Sequence, residues 1–345
     1  MQQILVRVMK KYLLWALTAL VLVSCKNGGR LLTSTNGSVY ECLVVCEANI
    51  RNAVKDTLAE YMYGLPQNEH TLTVSCVSKD QFDGYLQATR NILQIDIDRR
   101  QYTKVKVATA EDVWAKPQAY VRIQAPSKQA FMEYWEENGA AVREWFVREE
   151  LARHMRFYQV ENNEAAQRVL KRWKYKMYMP EDYLMIMDTT IIVDKRKTQV
   201  LWCCNNKGSM RKDFMIYTYP YTSQDQFSND SIVAMRDKVM GRLVSAQIEG
   251  SYMKTEWKHI PPVSRSVTPL KDTTGGFYAV ETRGLWKIQD GEAMGGPFVS
   301  LTRLDQVNAW VVHAEAFLYA PNEKKRSAIR QMESLLYSLK MPNER

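Results

Sequence analysis

The sequence has few of the residues from which metal and redox centres are built. It contains only four histidines and six cysteines in 345 residues. The histidines are far apart, and no His-x-x-x-His, Cys-x-x-Cys or aspartate-rich calcium loop occurs. The sequence therefore predicts no metal site and no bound cofactor.

The signatures of common enzyme classes are also missing. No Gly-x-Ser-x-Gly, Gly-x-Gly-x-x-Gly or Walker loop is present. Ser251-Tyr252-Met253-Lys254 fits the Ser-x-x-Lys pattern of penicillin-recognising enzymes, but the companion Ser-Asp-Asn and Lys-Thr-Gly elements are absent. Carboxylate pairs cannot be chosen among 38 acidic residues without geometry. The recognisable catalytic motifs are thus excluded, while an unrecognised site is not.

A long apolar run is lacking too, although a short one stands at the amino terminus. Residues Met1–Ser24 carry three basic residues and no acidic one, followed by an apolar run, Tyr12–Val23, interrupted only by Thr18. A membrane span needs roughly 20 residues, so this run predicts a cleaved signal peptide rather than an anchor. Leu22-Val23-Ser24-Cys25 resembles the bacterial lipobox, which predicts lipid attachment at Cys25. Residues 25–37 then form a short polar tether that holds the folded body near a membrane.

The remaining chain has only a modest excess of positive charge. Without its first 24 residues it keeps 321 residues, of which 44 are basic and 38 acidic, a net charge of +6. This balance does not suggest a nucleic-acid-binding protein. A hydrophobic content of 46% and an aromatic content of 11% are typical of a globular protein long enough for two domains or one large one.

Five cysteines remain besides Cys25, and an exported chain can oxidise them. Cys42 and Cys46 are expected on one strand about 13 Å apart, too far to bridge each other. Either could pair with Cys76 on a neighbouring strand. Cys203 and Cys204 are adjacent, so they point to opposite faces of a strand. The alternative is that these thiols are small buried apolar groups.

The hydrophobic pattern alternates between strand-like and helix-like segments, which predicts an α+β fold of mostly antiparallel sheets with helices packed on one face. We expect a first half at residues 38–178 and a second at 179–345. Ser127 is expected to cap a helix after a strand at Ala119–Ala125. The pentads Ile123–Ser127 and Leu318–Asn322 both read as strand end, Ala-Pro, cap and helix, a weak indication that the halves are related.

Two segments are candidates for interaction. The basic stretch Arg148–Lys176 is interpreted either as a helix face on anionic headgroups or as a solvated face over a core. The region Tyr252–Ser300 offers paired glycines beside aromatic residues, which suits either a groove for a ligand or partner or a packed β-turn. Its candidate binding residues are Arg283, Trp286, Met294, Gly295, Gly296 and Phe298.

Several motifs resemble one family. They are Ser38–Glu41, Gly64–Gln67, Arg90–Ile92, Pro117-Gln118, Ile123–Pro126, Tyr217–Tyr221, Arg283–Trp286, Met294–Ser300 and Tyr319–Pro321. Together they resemble domain of unknown function 4837, a lipoprotein family of Bacteroidota, over nearly the whole mature chain. The resemblance implies an envelope lipoprotein and no established activity. Lys26-Asn27-Gly28-Gly29 lacks the acidic residues found after the lipidated cysteine in surface-exported relatives, which implies an outer-membrane protein that faces the periplasm.

Three functions remain open on these grounds. The first is a non-catalytic envelope module that binds a protein or cell-wall partner through the Trp286 and Phe298 region. The second is an envelope hydrolase or transferase that uses Ser251 or a carboxylate pair. The third is a structural role in envelope assembly. A deep pocket with converging polar groups would favour the enzyme, and a shallow aromatic groove would favour binding.

Overall fold

The computed structural model describes residues 31–160, 163–270, 278–342 and 344. The predicted signal peptide and Cys25 lie outside these residues, as does the tether up to residue 30. The end of the predicted tether is paired: strand β1 (Thr33–Ser34) lies parallel to β6 (Ala115–Lys116). The amide of Asn36 also donates to the carbonyl of Ala88 at 2.9 Å. The chain is therefore held against the fold from residue 33 onward.

The first part of the chain builds a five-stranded sheet, called here the parallel sheet. Its strand order is β3-β2-β4-β7-β5, with β5 alone antiparallel to its neighbour. The bounds are β2 (Glu41–Val45), β3 (Thr73–Val77), β4 (Asn91–Ile97), β5 (Lys106–Glu111) and β7 (Ala119–Ala125). Strand β7 has the predicted bounds. The central strands β2 and β4 are buried on both faces, as parallel strands usually are.

Three helices accompany this sheet, namely α1 (Arg51–Leu58), α2 (Gly84–Gln87) and the 30-residue α3 (Lys128–Phe157). The hydroxyl oxygen of Ser127 accepts a hydrogen bond from the amide of Ala130 at 3.2 Å, so the predicted N-cap is confirmed. The basic segment is not one helix. Helix α3 ends at Phe157, and α4 (Glu164–Arg172) starts again after Asn163 caps it.

The second part builds an eight-stranded antiparallel sheet, called here the large sheet. Its order is β11-β13-β14-β15-β10-β9-β8, with β12 also paired to β13. The strands are β8 (Leu184–Val193), β9 (Arg196–Asn205), β10 (Arg211–Pro220), β11 (Tyr252–Glu256), β12 (Val263–Val267), β13 (Ala279–Gln289), β14 (Gly295–Asp305) and β15 (Trp310–Tyr319). Two more helices, α5 (Asn229–Leu243) and α6 (Arg326–Leu336), pack against it.

The α+β class is confirmed, and eight of the twelve strand pairings described are antiparallel. Helices do not keep to one face of the large sheet, however. Ile232 and Val239 of α5 pack against Phe298 on one face, whereas Ile329 and Met332 of α6 pack on the other. The cause is that β14 and β15 are buried at nearly every position, so both faces need a cover.

The two parts share one hydrophobic core but not one topology. Tyr40 and Phe131 of the first part belong to the same buried cluster as Leu301 and Leu336 of the second. The parallel sheet has the order β3-β2-β4-β7-β5, whereas β13, β14 and β15 form an antiparallel meander. The matched pentads therefore reflect a similar local transition from strand to helix and not a duplicated fold.

Candidate functional site

Five of the six predicted binding residues lie on β13 and β14 and Met294 directly precedes β14, but Arg283, Trp286 and Phe298 do not face solvent together. The exposed fractions of Arg283, Trp286 and Phe298 are only 9%, 4% and 1%. Residues three apart on a strand point to opposite faces, so Arg283 lies on the α6 side and Trp286 on the α5 side. Of the two alternatives for this region, the three residues therefore do not form an open groove together, and their side chains are packed inside the fold.

The paired glycines do allow a close backbone approach. A Cβ added to Gly296 would lie 1.9 Å from the carbonyl oxygen of Leu318, and one added to Gly295 would lie 2.7 Å from that of Trp286. The indole Nε1 of Trp286 donates to the Leu318 carbonyl at 3.3 Å. The glycines therefore seat Trp286 against β15 and fix the orientation of its ring.

The ring of Trp286 helps to line a small apolar cavity, called here the aromatic pocket. It has a volume of about 190 Å³ and lies on the α5 side of the large sheet, near the loop from α5 to β11. Its lining residues are mostly apolar or aromatic: Trp202, Arg211, Asp213, Leu243, Val244, Ser245, Ala246, Met253, Trp286, Ile288, Met294, Phe317 and Tyr319. Of the residues predicted from sequence, Trp286 and Met294 meet here.

The walls of the aromatic pocket are interlocking rings. The ring centroids of Trp286 and Phe317 are 6.3 Å apart at 79°, and those of Trp202 and Phe317 are 6.5 Å apart. The first pair is edge-to-face, which is a favourable arrangement, and the second is tilted at 42°. A cavity of about 150 Å³ with apolar walls can hold a benzene-sized molecule. The aromatic pocket accordingly has room for one ring or one branched apolar side chain.

One end of the aromatic pocket is polar. Asp213 accepts hydrogen bonds from Trp202 Nε1 at 2.9 Å and from Arg211 Nε at 2.9 Å. Burial raises the pKa of Asp213, although the hydrogen bond and charge of Arg211 act against this. Both carboxylate oxygens of Asp213 already accept hydrogen bonds, from Trp202 and Arg211. Asp213 therefore forms the polar end of the pocket and is not placed to transfer a proton.

The loop at the mouth of the aromatic pocket contains the Ser-x-x-Lys match. Ser251 is buried, and its hydroxyl donates to the carbonyl of Ile248 at 2.6 Å while accepting from the amide of Ala246 at 3.1 Å. Lys254 lies on β11 and is exposed. The hydroxyl of Ser251 is thus committed to shaping the loop, and Lys254 does not activate it. Ser251 is not a nucleophile in this geometry.

A linear array of polar side chains crosses the α5 side of the large sheet. His313 Nδ1 is 2.9 Å from the hydroxyl of Thr302, and its Nε2 is 3.2 Å from Glu315. The order resembles a hydroxyl, base and carboxylate arrangement. Burial lowers the pKa of His313, and Arg236 holds Glu315 in a bidentate ion pair. Thr302, His313 and Glu315 are 0%, 1% and 0% exposed, so the array lies inside the fold and away from solvent.

Arg283 belongs to a charged cleft of about 230 Å³ between the two parts of the chain. Its Nε donates to Glu281 at 2.8 Å, and it also pairs with Glu333 of α6. Burial opposes ionisation of Glu281, but Arg283 and Arg265 outweigh it and lower its pKa to about 2. These charges pair with one another, which indicates that they hold α6 against β13 and stabilise the fold.

The largest of the described clefts, about 410 Å³, lies beside Tyr183 and α6. Its polar side chains bond to one another: Asn205 donates to Asp182 at 2.5 Å, and Lys212 donates to Gln331 at 3.3 Å. Within the described ranges, no cluster of three histidine, cysteine or acidic side chains could hold a metal ion. No helix in the described part of the chain is long and apolar enough to span a membrane.

Basic residues of the segment Arg148–Lys176 are dispersed. Arg153 is buried and donates to Asn91 at 2.5 Å, and Arg148 reaches the carbonyl of Thr268 at 3.2 Å. Arg172 pairs with Asp188 of β8 at 2.6 Å. Arg148 and Arg153 thus make contacts within the fold, whereas the cations of α4 and of the residues after it are exposed: Arg168, Lys171, Arg172, Lys174 and Lys176.

The edge of the large sheet carries the most exposed apolar cluster near the aromatic pocket. Leu184, Met185 and Ile186 begin the edge strand β8 and are 69%, 40% and 46% exposed; they are called here the edge patch. Leu184 pairs with Cys204, which pairs with Asp213 of the pocket, so the three lie in one row across the sheet. Strands are about 4.8 Å apart, which places Leu184 roughly 10 Å from Asp213.

Two family descriptions match the chain. Residues 162–338 match Domain of unknown function (DUF4837), and residues 35–159 match Domain of unknown function (DUF8532). The expected family is confirmed, but its match covers the large sheet and its helices and not nearly the whole mature chain. The motifs quoted from the first part lie in the range of the second family. A search of curated proteins found no match.

Proposed function

The chain belongs to the family described as Domain of unknown function (DUF4837), and we propose that this member is a non-catalytic envelope lipoprotein that binds a partner protein. The partner inserts one ring-sized apolar side chain into the aromatic pocket and lays its backbone along β8. A lipid at Cys25 holds the protein at the outer membrane on the periplasmic side. Neither family description includes an activity.

The observation that carries this proposal is the aromatic pocket beside the edge patch. A pocket of about 190 Å³ is smaller than the roughly 300–1,000 Å³ of sites for drug-sized ligands, and it fits a single anchoring side chain. Buried aromatic or aliphatic anchors surrounded by weaker contacts are typical of protein interfaces. An exposed apolar edge strand offers unpaired backbone groups for an added strand.

The alternative of a hydrolase or transferase has less support in this geometry. The hydroxyl of Ser251 is held by its own loop, and the carboxylates of Asp213, Glu281 and Glu315 are all engaged by arginines. A catalytic base needs access to a substrate proton. The three carboxylates could reach a substrate proton only after the ion pair of each with its arginine is broken.

Site-specific photo-crosslinking in native envelopes tests the partner. A photoreactive amino acid at Leu184 captures the partner, and Ser245→Trp blocks the pocket mouth and abolishes that capture. Gln247→Trp is the matched control, because Gln247 is exposed in the same loop but does not line the pocket. Equal capture by the Ser245→Trp protein would refute anchoring in the pocket. Capture of a small molecule alone would also refute a protein partner.

The lipid anchor needs a separate test. Mass spectrometry of the amino-terminal peptide is expected to show an acylated Cys25 as the first residue. Cys25→Ala protein should leave the membrane fraction, whereas Cys42→Ser protein should stay in it. An intact Met1 terminus, or membrane fractionation of Cys25→Ala protein as before, would exclude the lipoprotein assignment.

A further inference from the structure

A further cleft lies at the carboxyl ends of the strands of the parallel sheet. Strand β2 lies between β3 and β4, and all three run parallel. The chain leaves β2 towards β3 and returns across β2 to β4. The connections that follow β2 and β4 therefore leave in opposite directions, which is the arrangement at which open α/β sheets form crevices for ligands.

A cleft of about 320 Å³ lies at this position and is called here the switch cleft. Its lining comes from the last residues of β4 and from the residues that follow β2, β3 and β4: Cys46, Glu47, Ser78, Lys79, Asp80, Ile95, Asp96, Ile97, Asp98, Gln101 and Tyr102. Its carboxylates are already bound within the protein. Asp96 pairs with Arg122 at 2.6 Å, and Asp98 accepts from the amide of Arg100 at 2.8 Å. The same wall carries the thiol of Cys46.

Cys46 lies next to a second thiol. Cys76 of β3 is paired in register with Val44 of β2, and residues two apart on a strand share a face. Cys42 and Cys46, each two residues from Val44, are therefore both diagonal neighbours of Cys76 on the same face, and of the two only Cys46 lines the switch cleft. The amide of Cys46 donates to the carbonyl of Val77 at 3.0 Å, and the Cys46 thiol donates a hydrogen bond to the sulfur of Cys76.

The two thiols differ in their readiness to react. The hydrogen bond from Cys46 and the charges of Arg51 and Lys55 lower the pKa of Cys76 to about 7, against the effect of burial. Cys76 is half-buried and accessible. Donating this hydrogen bond raises the pKa of Cys46, and burial acts in the same direction. Cys42, on the same strand, is fully buried and burial raises its pKa, so it is inert.

We propose that Cys46 and Cys76 form a reversible intramolecular disulfide at the wall of the switch cleft by exchange with an external disulfide. The thiolate of Cys76 attacks one sulfur of the external disulfide, which breaks its S–S bond, releases one thiolate and leaves a mixed disulfide on Cys76. Cys46 then loses its proton to the released thiolate and attacks the sulfur of Cys76. This releases the second external thiolate, which takes a proton from water. Two cysteine thiols are oxidised, and one external disulfide is reduced to two thiols.

A disulfide between Cys46 and Cys76 would restrict the width of the switch cleft. Cys46 begins the connection that leaves β2, and Cys76 lies within β3. Oxidation would therefore tie one wall of the cleft to the neighbouring strand and fix its width. The redox state of the pair is thus expected to control what enters the cleft.

Peptide mapping of the purified full chain tests the pairing, with oxidised glutathione as the external disulfide. Trypsin without reductant is expected to release residues 31–51 linked to residues 56–79, which contain Cys42 with Cys46 and Cys76, respectively. Cys42→Ser keeps the linked peptides. Cys46→Ser abolishes them and leaves Cys76 joined to glutathione. Cys46→Ala repeats the test if the serine variant does not fold, as judged by circular dichroism.

The rate of Cys76 alkylation provides an independent measure of the same site. The rate should rise about tenfold per pH unit up to about pH 7 and then level off. In the Cys46→Ser protein the profile should change, since a hydroxyl replaces the thiol donor. Linked peptides that persist without Cys46, accumulation of the glutathione adduct without any link in the native chain, or a profile that still rises above pH 8 would each overturn the proposal.

Discussion

Replacement of Arg236 by methionine should be among the most destabilising single changes in the large sheet. Arg236 and Glu315 are both 0% exposed and form a bidentate ion pair with contacts of 2.8–3.1 Å. The guanidinium also lies 4.1 Å from the centroid of the Phe298 ring and donates to the hydroxyl of Thr255 at 3.0 Å. This set of contacts joins α5 to β14, β15 and β11.

The magnitude follows from the unpaired charge that remains. Removing one partner of a buried ion pair costs about 3–5 kcal/mol, because the other charge stays desolvated. Methionine fills a similar apolar volume, so little of this is a cavity effect. Arg236→Met should therefore lower the free energy of unfolding by about 4 kcal/mol. The double variant Arg236→Met, Glu315→Leu removes both charges and should recover about 2 kcal/mol or more of that loss.

His313 gives the prediction a pH dependence. Burial lowers the pKa of His313 in the native protein, and the charge of Arg236 acts in the same direction. A histidine with a lowered folded pKa is neutral in both states above about pH 6.5, and stability is lost as pH falls below that value. Without Arg236, His313 can protonate beside Glu315. The loss caused by Arg236→Met should then be smaller at pH 5 than at pH 8.

Urea unfolding monitored by tryptophan fluorescence and circular dichroism at both pH values measures these energies. Arg242→Met is the matched control, since Arg242 is an exposed residue near the end of the same helix. A loss below about 1 kcal/mol for Arg236→Met, or a double variant whose loss equals the sum of the single losses, would refute the reasoning.

Three further outcomes are expected. Gly296→Ala should lower the free energy of unfolding by about 3 kcal/mol in the same assay, because its Cβ would meet the backbone carbonyl of Leu318. The control Gly84→Ala should be near neutral, since its Cβ would enter open space. Equal effects of the two substitutions would contradict the close approach at Gly296. Ser127→Ala should lose about 1 kcal/mol through the lost cap of α3, whereas Lys128→Ala should not. Oxidation of Cys46 and Cys76 closes a loop of roughly 30 residues and should raise the free energy of unfolding by about 3 kcal/mol, a gain absent from Cys46→Ser protein.

The aromatic pocket changes how binding should be tested by mutation. Trp286 is a candidate binding residue by sequence, so Trp286→Ala would be the obvious probe, but Trp286 is buried and supports the rings around it. Truncation of a buried tryptophan costs about 3–5 kcal/mol, so lost binding would not separate a site from a weakened fold. Substitution at the exposed Ser245 avoids this difficulty.

Features that depend on neighbours in sequence could be predicted from the sequence. The strand Ala119–Ala125 and the cap at Ser127 are examples, because alternation along a strand and a side-chain oxygen before a helix act within a few residues. The glycines at 295 and 296 likewise indicated a close backbone approach, since only a residue without a Cβ permits it. The family was also recognisable, because its motifs are local.

Properties that depend on strand order were decided by the tertiary structure. Arg283 pairs with Glu333 of α6, whereas Trp286 lies on the other face with α5, and neither neighbour has a local signal. The parallel direction of β2 and β3, which brings Cys76 beside Cys42 and Cys46 on one face of the sheet, has no local signal. The cover on each face of the large sheet is equally non-local. Side-chain alternation is encoded residue by residue, whereas pairing partners are chosen by burial of the whole chain.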